Sequence, residues 1–375
     1  MSKVVKKALV LGGGIGGMSA AIALGQQGVE VHLIDIDPDW RALGAGITIT
    51  GPTLRAFRQL GVLDDIEREG FFFEQIKFFS QAGDFLQAMP TPVLDPGIPP
   101  AGAILRPTLH RILSDRTLAE GAKVRLGVEL VELAEDSTGV TANLSDGTRD
   151  RYDLVIGAEG SNSTLRTRLF PDWLPPAFTG QGCWRLLARR APEVTCSQIY
   201  FGENNVKVGI SPCSPDLAYV FATVAMPGNP RIEDGDLIEG MRAILSPFGG
   251  HIRQASDAMD AGSAVNYRPL FALLTPPPWH RGRVGLIGDA VHPTTPHLAT
   301  GAGITVEDAL VLAWEMDTAD SVDAGWTAFT ARRWDRVKLV LENSLAISRI
   351  EQAAGPEPEV RRLMGEAAFA LAQPI

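Results

Sequence analysis

The sequence predicts an α/β fold: a parallel-sheet domain interrupted by a mostly antiparallel sheet and closed by a long C-terminal helix. Three observations predict it. The opening residues read strand, glycine turn, helix, strand. From about residue 178 the texture changes to short alternating strands. Two long helical stretches then follow, over 301–316 and 324–350. With 375 residues the chain is long enough for two or three domains with a sizeable core. The expected division is 1–177 and 276–375 for the two parts of the first domain, with 178–275 inserted as a substrate-binding sheet.

Residues 4–11 are almost continuously apolar, as in a strand buried on both faces. Residues 15–27 have helical composition, Gly28 ends them, and 29–35 form the next strand, which completes a βαβ unit. Residues 51–70 read as helical and 71–80 as a strongly apolar strand. The proline-rich 90–100 stretch is a loop, and 107–120 a helix with Pro107 in its first turn. Short strands follow at 124–126, 129–133, 139–144 and 152–156, with Asp146-Gly147 as a hairpin turn. The insertion carries strands at 198–201, 206–210 and 218–225 and a helix near 234–245. Residues 283–287 return to a buried-strand pattern.

Basic residues number 34 and acidic residues 44, a formal charge of −10, which argues against a nucleic-acid partner. Cys183, Cys196 and Cys213 have no metal-like spacing and read as reduced thiols of a cytoplasmic protein. The six histidines form no metal pattern, since Pro293 and Pro296 lie between His292 and His297. No metal site is expected. Lys3, Lys6 and Lys7 before an apolar stretch superficially resemble an export signal. Five glycines within Gly12–Gly17 interrupt that stretch, so none is expected. No run of about 20 apolar residues suggests a membrane span.

Gly12-Gly13-Gly14-Ile15-Gly16-Gly17 fits G-x-G-x-x-G directly after a strand and at the start of a helix. Gly12 permits the tight turn, Gly14 lets the backbone approach a pyrophosphate, and Gly16 and Gly17 open a helix packed closely on the strand. The helix N-terminus favours negative charge. Asp35, 18 residues after Gly17, ends the second strand, where an acid can accept the ribose hydroxyls. The pattern predicts a Rossmann-like dinucleotide site; it does not by itself choose between FAD and NAD.

Two distant segments decide between them. Asp153-Leu154-Val155-Ile156-Gly157-Ala158-Glu159-Gly160 through Arg166 resembles the DG segment of the group A flavoprotein monooxygenases, the para-hydroxybenzoate and salicylate hydroxylase family. Gly285-Leu286-Ile287-Gly288-Asp289-Ala290-Val291-His292-Pro293 resembles that family's GD motif. Pro296 through Gly303 and then Glu307-Asp308-Ala309 follow it. The resemblance spans residues 5–340. It implies FAD as cofactor, NADH or NADPH as transient co-substrate, and hydroxylation of a small aromatic or N-heteroaromatic substrate by O2 through a flavin C4a-hydroperoxide. It also implies cofactor contacts at Arg41, Gly46, Arg106, Leu130, Glu159, Asp289, Pro296, Gly301, Ala302 and Gly303. Asp289 can accept a ribityl hydroxyl. The backbone N–H groups at Gly301-Ala302-Gly303 can face the charge of a reduced flavin. A single glycine fingerprint suits a nicotinamide that binds and leaves.

The sequence departs from the family at Glu159, where aspartate is usual, and at Ala299 and Thr300, where glycine and glutamine are usual. The last arginine cluster is reduced to Arg332, Arg333 and Arg336. Candidates near the reacting ring are Arg185 as an anion holder, Tyr219, His251, Tyr200 and Pro296, with Arg185 placed first because Cys183-Trp184-Arg185 matches a family strand edging the active site. A different FAD-dependent oxidoreductase on the same fold, or a non-catalytic flavin- or ligand-binding protein, is the competing expectation. Substrate-stimulated NAD(P)H oxidation with a product heavier by one oxygen separates them. The state expected is monomer or homodimer.

Overall fold

The computed structural model describes residues 4–42, 44–203, 206–353, 355 and 357–375. Lys3, at the start of the N-terminal stretch, lies outside them.

The parallel strands Lys7–Leu11, Glu30–Asp35, Lys123–Leu126, Leu154–Gly157 and Val284–Leu286 form one six-stranded sheet, with the short antiparallel His280–Arg281 at its edge. Lys7–Leu11 lies between Glu30–Asp35 and Leu154–Gly157, so the glycine turn and the segment after Gly157 emerge side by side. The expected 152–156 strand divides at Asp153. Its carboxylate accepts the backbone N–H groups of Lys6 and Lys7 at 2.8 and 3.0 Å, which bends Arg149–Tyr152 into a separate three-stranded sheet.

A seven-stranded sheet runs in the order Val265–Ala272, Ala177–Arg189, Leu217–Ala225, Lys207–Pro212, Ser197–Phe201, Gln75–Ser80, Phe85–Pro90. All its pairings are antiparallel except that of Ser197–Phe201 with Gln75–Ser80. The strands between Ala177 and Ala272 thus extend their sheet onto two strands from earlier in the chain. The expected strand 71–80 breaks at Glu74: Phe71–Phe73 joins a small sheet with Gly46–Thr50 and Ala101–Leu105, and Gln75–Ser80 joins the large one. The helical stretch 51–70 likewise splits into Gly51–Gln59 and Leu63–Glu69 around Gly61, whose φ of +72° stops the first helix.

Side chains alternate across a sheet, and the register sorts them here. The outer face carries Trp184, Tyr200, Val208 and Val220, packed with Met241, Leu245 and Ile252 of the helices Leu237–Leu245 and Gly250–Asp257. The inner face carries Arg185, Leu187, Tyr219 and Phe221 and packs on Ala45 and Ala103. The helix Gly301–Thr318 packs on Ile15–Gln26, and the 31-residue helix Val322–Gln352 crosses it and reaches the start of Ala177–Arg189. A final helix, Glu357–Ala372, was not expected. No described helix is long and apolar enough to cross a membrane.

Candidate cofactor and active site

The glycine turn is built as its spacing requires. Gly12 has φ +103°, and a Cβ there would lie 2.5 Å from the Ala158 oxygen, so the turn lies hard against the segment after Gly157. A Cβ at Gly17 would lie 1.8 Å from the Gly12 oxygen, while at Gly14 nothing comes within 4 Å. Close packing surrounds the turn, and one side of it is open. The helix Ile15–Gln26 has no side-chain cap and no acid in its first turn, which leaves its N–H groups and positive end available to an anion. Asp35 accepts the N–H groups of Gly13 at 2.5 Å and Asp37 at 2.7 Å, which fixes its carboxylate beside the turn.

Arg106 begins the helix Arg106–Ala119 and donates from Nε to the Gly46 oxygen at 3.3 Å. Burial, then the nearby Arg185 guanidinium, push its pKa down to about 10, with Tyr219 and Asp289 opposing. These residues from four separate elements therefore face one another. Asp289 is open to solvent, yet burial raises its pKa. A side chain on the wall of a deep cleft combines the two. Across the cleft, Tyr219 is buried and its hydroxyl bonds that of Thr48. Its ring lies against Gly46, where a Cβ would fall 2.2 Å from it. Burial raises the Tyr219 pKa.

A second uncapped helix end completes the cleft. Gly301–Thr318 starts without a side-chain cap or first-turn acid. Ala299 just before it adopts φ +52°, and the Thr294 and Thr300 hydroxyls are buried without a partner. Gly301 and Ala302 are half-exposed. Gly303 is buried, and a Cβ there would lie 2.2 Å from Thr53 Oγ1, so this glycine serves close packing. Behind them, Asp308 accepts the Gly288 N–H at 2.9 Å, His292 Nε2 at 2.6 Å and Arg333 Nε at 2.7 Å. Glu307 pairs with Arg333 at 2.9 Å and Arg336 at 2.7 Å. Burial alone raises the Asp308 pKa, but His292 and Arg333 outweigh it and hold the group ionised.

Two uncapped helix ends, an acid at the second strand, a half-buried arginine and a cleft carboxylate suit a diphosphate, a ribose and a polyhydroxyl chain in turn. The donor set fits an FAD. A family model described as an FAD binding domain matches residues 6–211 and 251–344. The chain belongs to that family. Its members are the group A aromatic flavin monooxygenases. A putative FAD-dependent monooxygenase, YetM, of Bacillus subtilis (strain 168) is 31% identical across 96% of this chain and 98% of its own. The 2-heptyl-3-hydroxy-4(1H)-quinolone synthase of Pseudomonas aeruginosa (strain UCBPP-PA14) is 28% identical across 93% and 90%. The crystal structure of Klebsiella pneumoniae HpxO with FAD and uric acid shares the fold, with a TM-score of 0.86, 23% identity, and 98% and 97% of the two chains covered. The protein is an FAD-dependent monooxygenase, and FAD is its cofactor.

Among these monooxygenase landmarks, Glu159 is committed elsewhere. Its oxygens accept the Ser163 hydroxyl at 2.6 Å, the Thr164 hydroxyl at 2.7 Å and the Leu165 N–H at 3.1 Å, so it caps the helix Thr164–Leu169. The longer side chain relative to aspartate makes that reach. Ala299 explains a second departure: the backbone there is left-handed, which suits the family's glycine and strains alanine. The arginines that remain, Arg333 and Arg336, are partners of Glu307 and Asp308, while Arg332 pairs with Glu315 on the surface.

Several expected site residues stand apart from the cleft centre. Arg41 is exposed and paired with Asp37 at 3.3 Å and Asp39 at 3.4 Å. With Trp40 and His110 it lines a surface cleft of about 550 Å³. Leu130 opens the strand Leu130–Asp136 and packs partly against the main core. Pro296 is exposed and starts the short turn Pro296–Leu298 that leads to Gly301. His251 is not brought to the cleft: its Nδ1 contacts Gln198 Oε1 at 2.9 Å, which also accepts the Tyr200 hydroxyl at 3.0 Å. Both residues belong to the outer side of the sheet, because Tyr200 and Tyr219 lie on opposite faces by strand alternation. The three cysteines are buried and free.

Sequence reasoning missed Trp40, whose indole N–H donates to the Gly13 oxygen at 2.8 Å and closes one side of the turn. It also missed a half-buried trio. Glu351, near the end of the long helix, pairs with Lys207 at 2.5 Å and His297 at 3.3 Å. Burial opposes ionisation of Glu351, yet Lys207 and His297 hold its pKa near 2. No local motif links three residues so far apart in the chain.

Proposed function

We propose that the enzyme hydroxylates an electron-rich aromatic or N-heteroaromatic ring held between the cofactor and the inner face of the seven-stranded sheet, with NADH or NADPH as transient electron donor. The single observation that carries this is Arg185. It lies on the inner face beside Arg106 and Tyr219, is only half-buried, and has no carboxylate partner among the described residues. An unpaired guanidinium there favours an anionic oxygen on the substrate, so it promotes loss of a phenolic proton and enriches the ring in electrons. When bound and reduced, the flavin activates O2 for transfer of one oxygen atom to such a ring. Tyr219 stays protonated and, through Thr48, orients the strand Gly46–Thr50. Arg106, Asp289 and the start of Gly301–Thr318 hold the cofactor, and Asp35 its ribose. The inserted sheet of 178–275 is the substrate-binding domain on this reading, flanked by the cofactor-binding parts 1–177 and 276–375. Three free cysteines support a cytoplasmic enzyme, working as monomer or homodimer.

The test is a screen of phenols, hydroxybenzoates and N-heteroaromatics for stimulated NADH and NADPH oxidation by the FAD-loaded enzyme, with product mass measured. A compound that stimulates oxidation and gains one oxygen is expected. Tight ligand binding with no stimulated oxidation across the screen contradicts the reading and favours a non-catalytic binder.

A further inference from the structure

We infer that the substrate ring carries an uncharged apolar chain, and that this chain lies along Phe221, Ile199, Phe78 and Phe201 on the inner face of the sheet. The inference rests on the reading of the protein as an aromatic hydroxylase and names the class of ring it takes. The register carries it. Arg185 pairs with Phe221, Phe221 with Gly209, Gly209 with Ile199, and Ile199 with Phe78, so one row runs from the cofactor end toward the sheet edge. Phe201 stands beside this row, its ring stacked on Phe78 at 5.9 Å and 4°. Gly209 supplies no side chain, and Phe221 fills that space: a Cβ there would lie 2.3 Å from the Phe221 ring. The row is therefore a smooth apolar strip.

Its residues are not packed away. Phe221, Ile199 and Phe78 are half-buried, and Phe201 is 44% exposed. A contiguous strip of large apolar side chains left open on an inner face marks a binding surface for apolar matter. Charge along the strip is cancelled or turned away. Lys207, the neighbour of Phe201 in the ladder, is paired with Glu351. Lys77 alternates to the outer face between Ile76 and Phe78. Arg185, without a carboxylate partner among the described residues, stands at the cofactor end of the strip beside Arg106. A ring with its oxygen toward Arg185 and an alkyl chain toward Phe201 matches this polarity, and a second anionic substituent on the chain does not.

The test measures dissociation constants of the FAD-loaded, full-length enzyme for 4-hydroxyquinoline and its 2-alkyl derivatives from methyl to heptyl, read as perturbation of the flavin spectrum. Affinity is expected to rise roughly fourfold per added methylene. Phe201→Ser and Phe78→Ala should each flatten that series, whereas Phe85→Ser, at an exposed site on the outer face, should keep it. A flat series in the unmodified enzyme, no binding by any member, or an unchanged slope in both Phe201→Ser and Phe78→Ala overturns the inference. Hydroxylation of the ring with a flat series would leave the hydroxylase reading standing without the chain. A steep series with no oxygen transfer would support the chain and remove the hydroxylase.

Discussion

Arg166 Nη1 donates to the Ala290 carbonyl oxygen at 2.9 Å and so ties the segment after Gly157 to the turn that carries Asp289. Its Nη2 donates to the Ser161 oxygen at 2.8 Å. The arginine is 6% exposed. Replacing it with methionine leaves two carbonyls without their charged donor, a loss of about 2–3 kcal/mol. Arg166→Met is expected to lower the melting temperature and to weaken FAD binding at least tenfold. Thermal unfolding with and without added FAD, together with fluorimetric FAD titration, checks both.

The Asp308 network bears more weight. Asp308→Asn removes the charge that Arg333 and His292 share in a site closed to solvent. Breaking one member of such a buried group costs about 3–5 kcal/mol. The variant is expected to express poorly or to unfold well below the parent in a thermal melt. Arg332→Ala, on the surface pair with Glu315, should change stability by less than about 1 kcal/mol.

The Glu351 trio predicts a pH dependence. Its folded pKa, near 2, lies below the ordinary 4.5. A depressed carboxyl pKa contributes stability that is full above the unfolded value and is lost as pH falls through the folded one. Between about pH 4.5 and pH 2 the parent should therefore lose on the order of 3 kcal/mol that Glu351→Gln does not lose over the same window. Denaturant titrations of both proteins at several acidic pH values give the difference, and parallel curves contradict it.

Tyr219 and Gly46 separate position from chemistry. Gly46→Ala drives a methyl into the Tyr219 ring, which should destabilise the protein by about 1–3 kcal/mol and weaken FAD binding. Tyr219→Phe removes only the hydroxyl and its contacts with Thr48 and Ser211. If the phenol is a protonated support, the variant keeps the parent's pH–rate profile, with kcat lowered no more than a few-fold. Loss of a titrating limb in that profile would show that Tyr219 exchanges the reacting proton.

Much of this arrangement was legible in the sequence because its physics is local. A glycine turn after an apolar run needs only the turn and the helix that follows, and Gly12, Gly14, Gly17 and Asp35 stand as their spacing implied. Asp289 and Gly301 were readable for the same reason, as a strand end and a helix start. What escaped depends on pairing between distant strands. His251 and Tyr219 look alike as candidates along the chain; strand register turns Tyr219 to the cleft, and the packing of the helix Gly250–Asp257 on the outer face carries His251 behind the sheet. Composition also hid that Gln75–Ser80 and Phe85–Pro90 join the seven-stranded sheet, since a strand's partners are set by topology. Glu159 looked like an altered coenzyme contact; its three bonds to the following helix required coordinates to see.

The most direct test of the hydroxylase reading is the origin of the product's new oxygen. The FAD-loaded enzyme is supplied with NADH or NADPH and a stimulating phenol under isotopically heavy O2, and then under ordinary O2 in heavy water-oxygen. The expected product carries one heavy atom in the first case and none in the second. A product labelled only from water, or substrate recovered unchanged while the coenzyme is consumed, would contradict it.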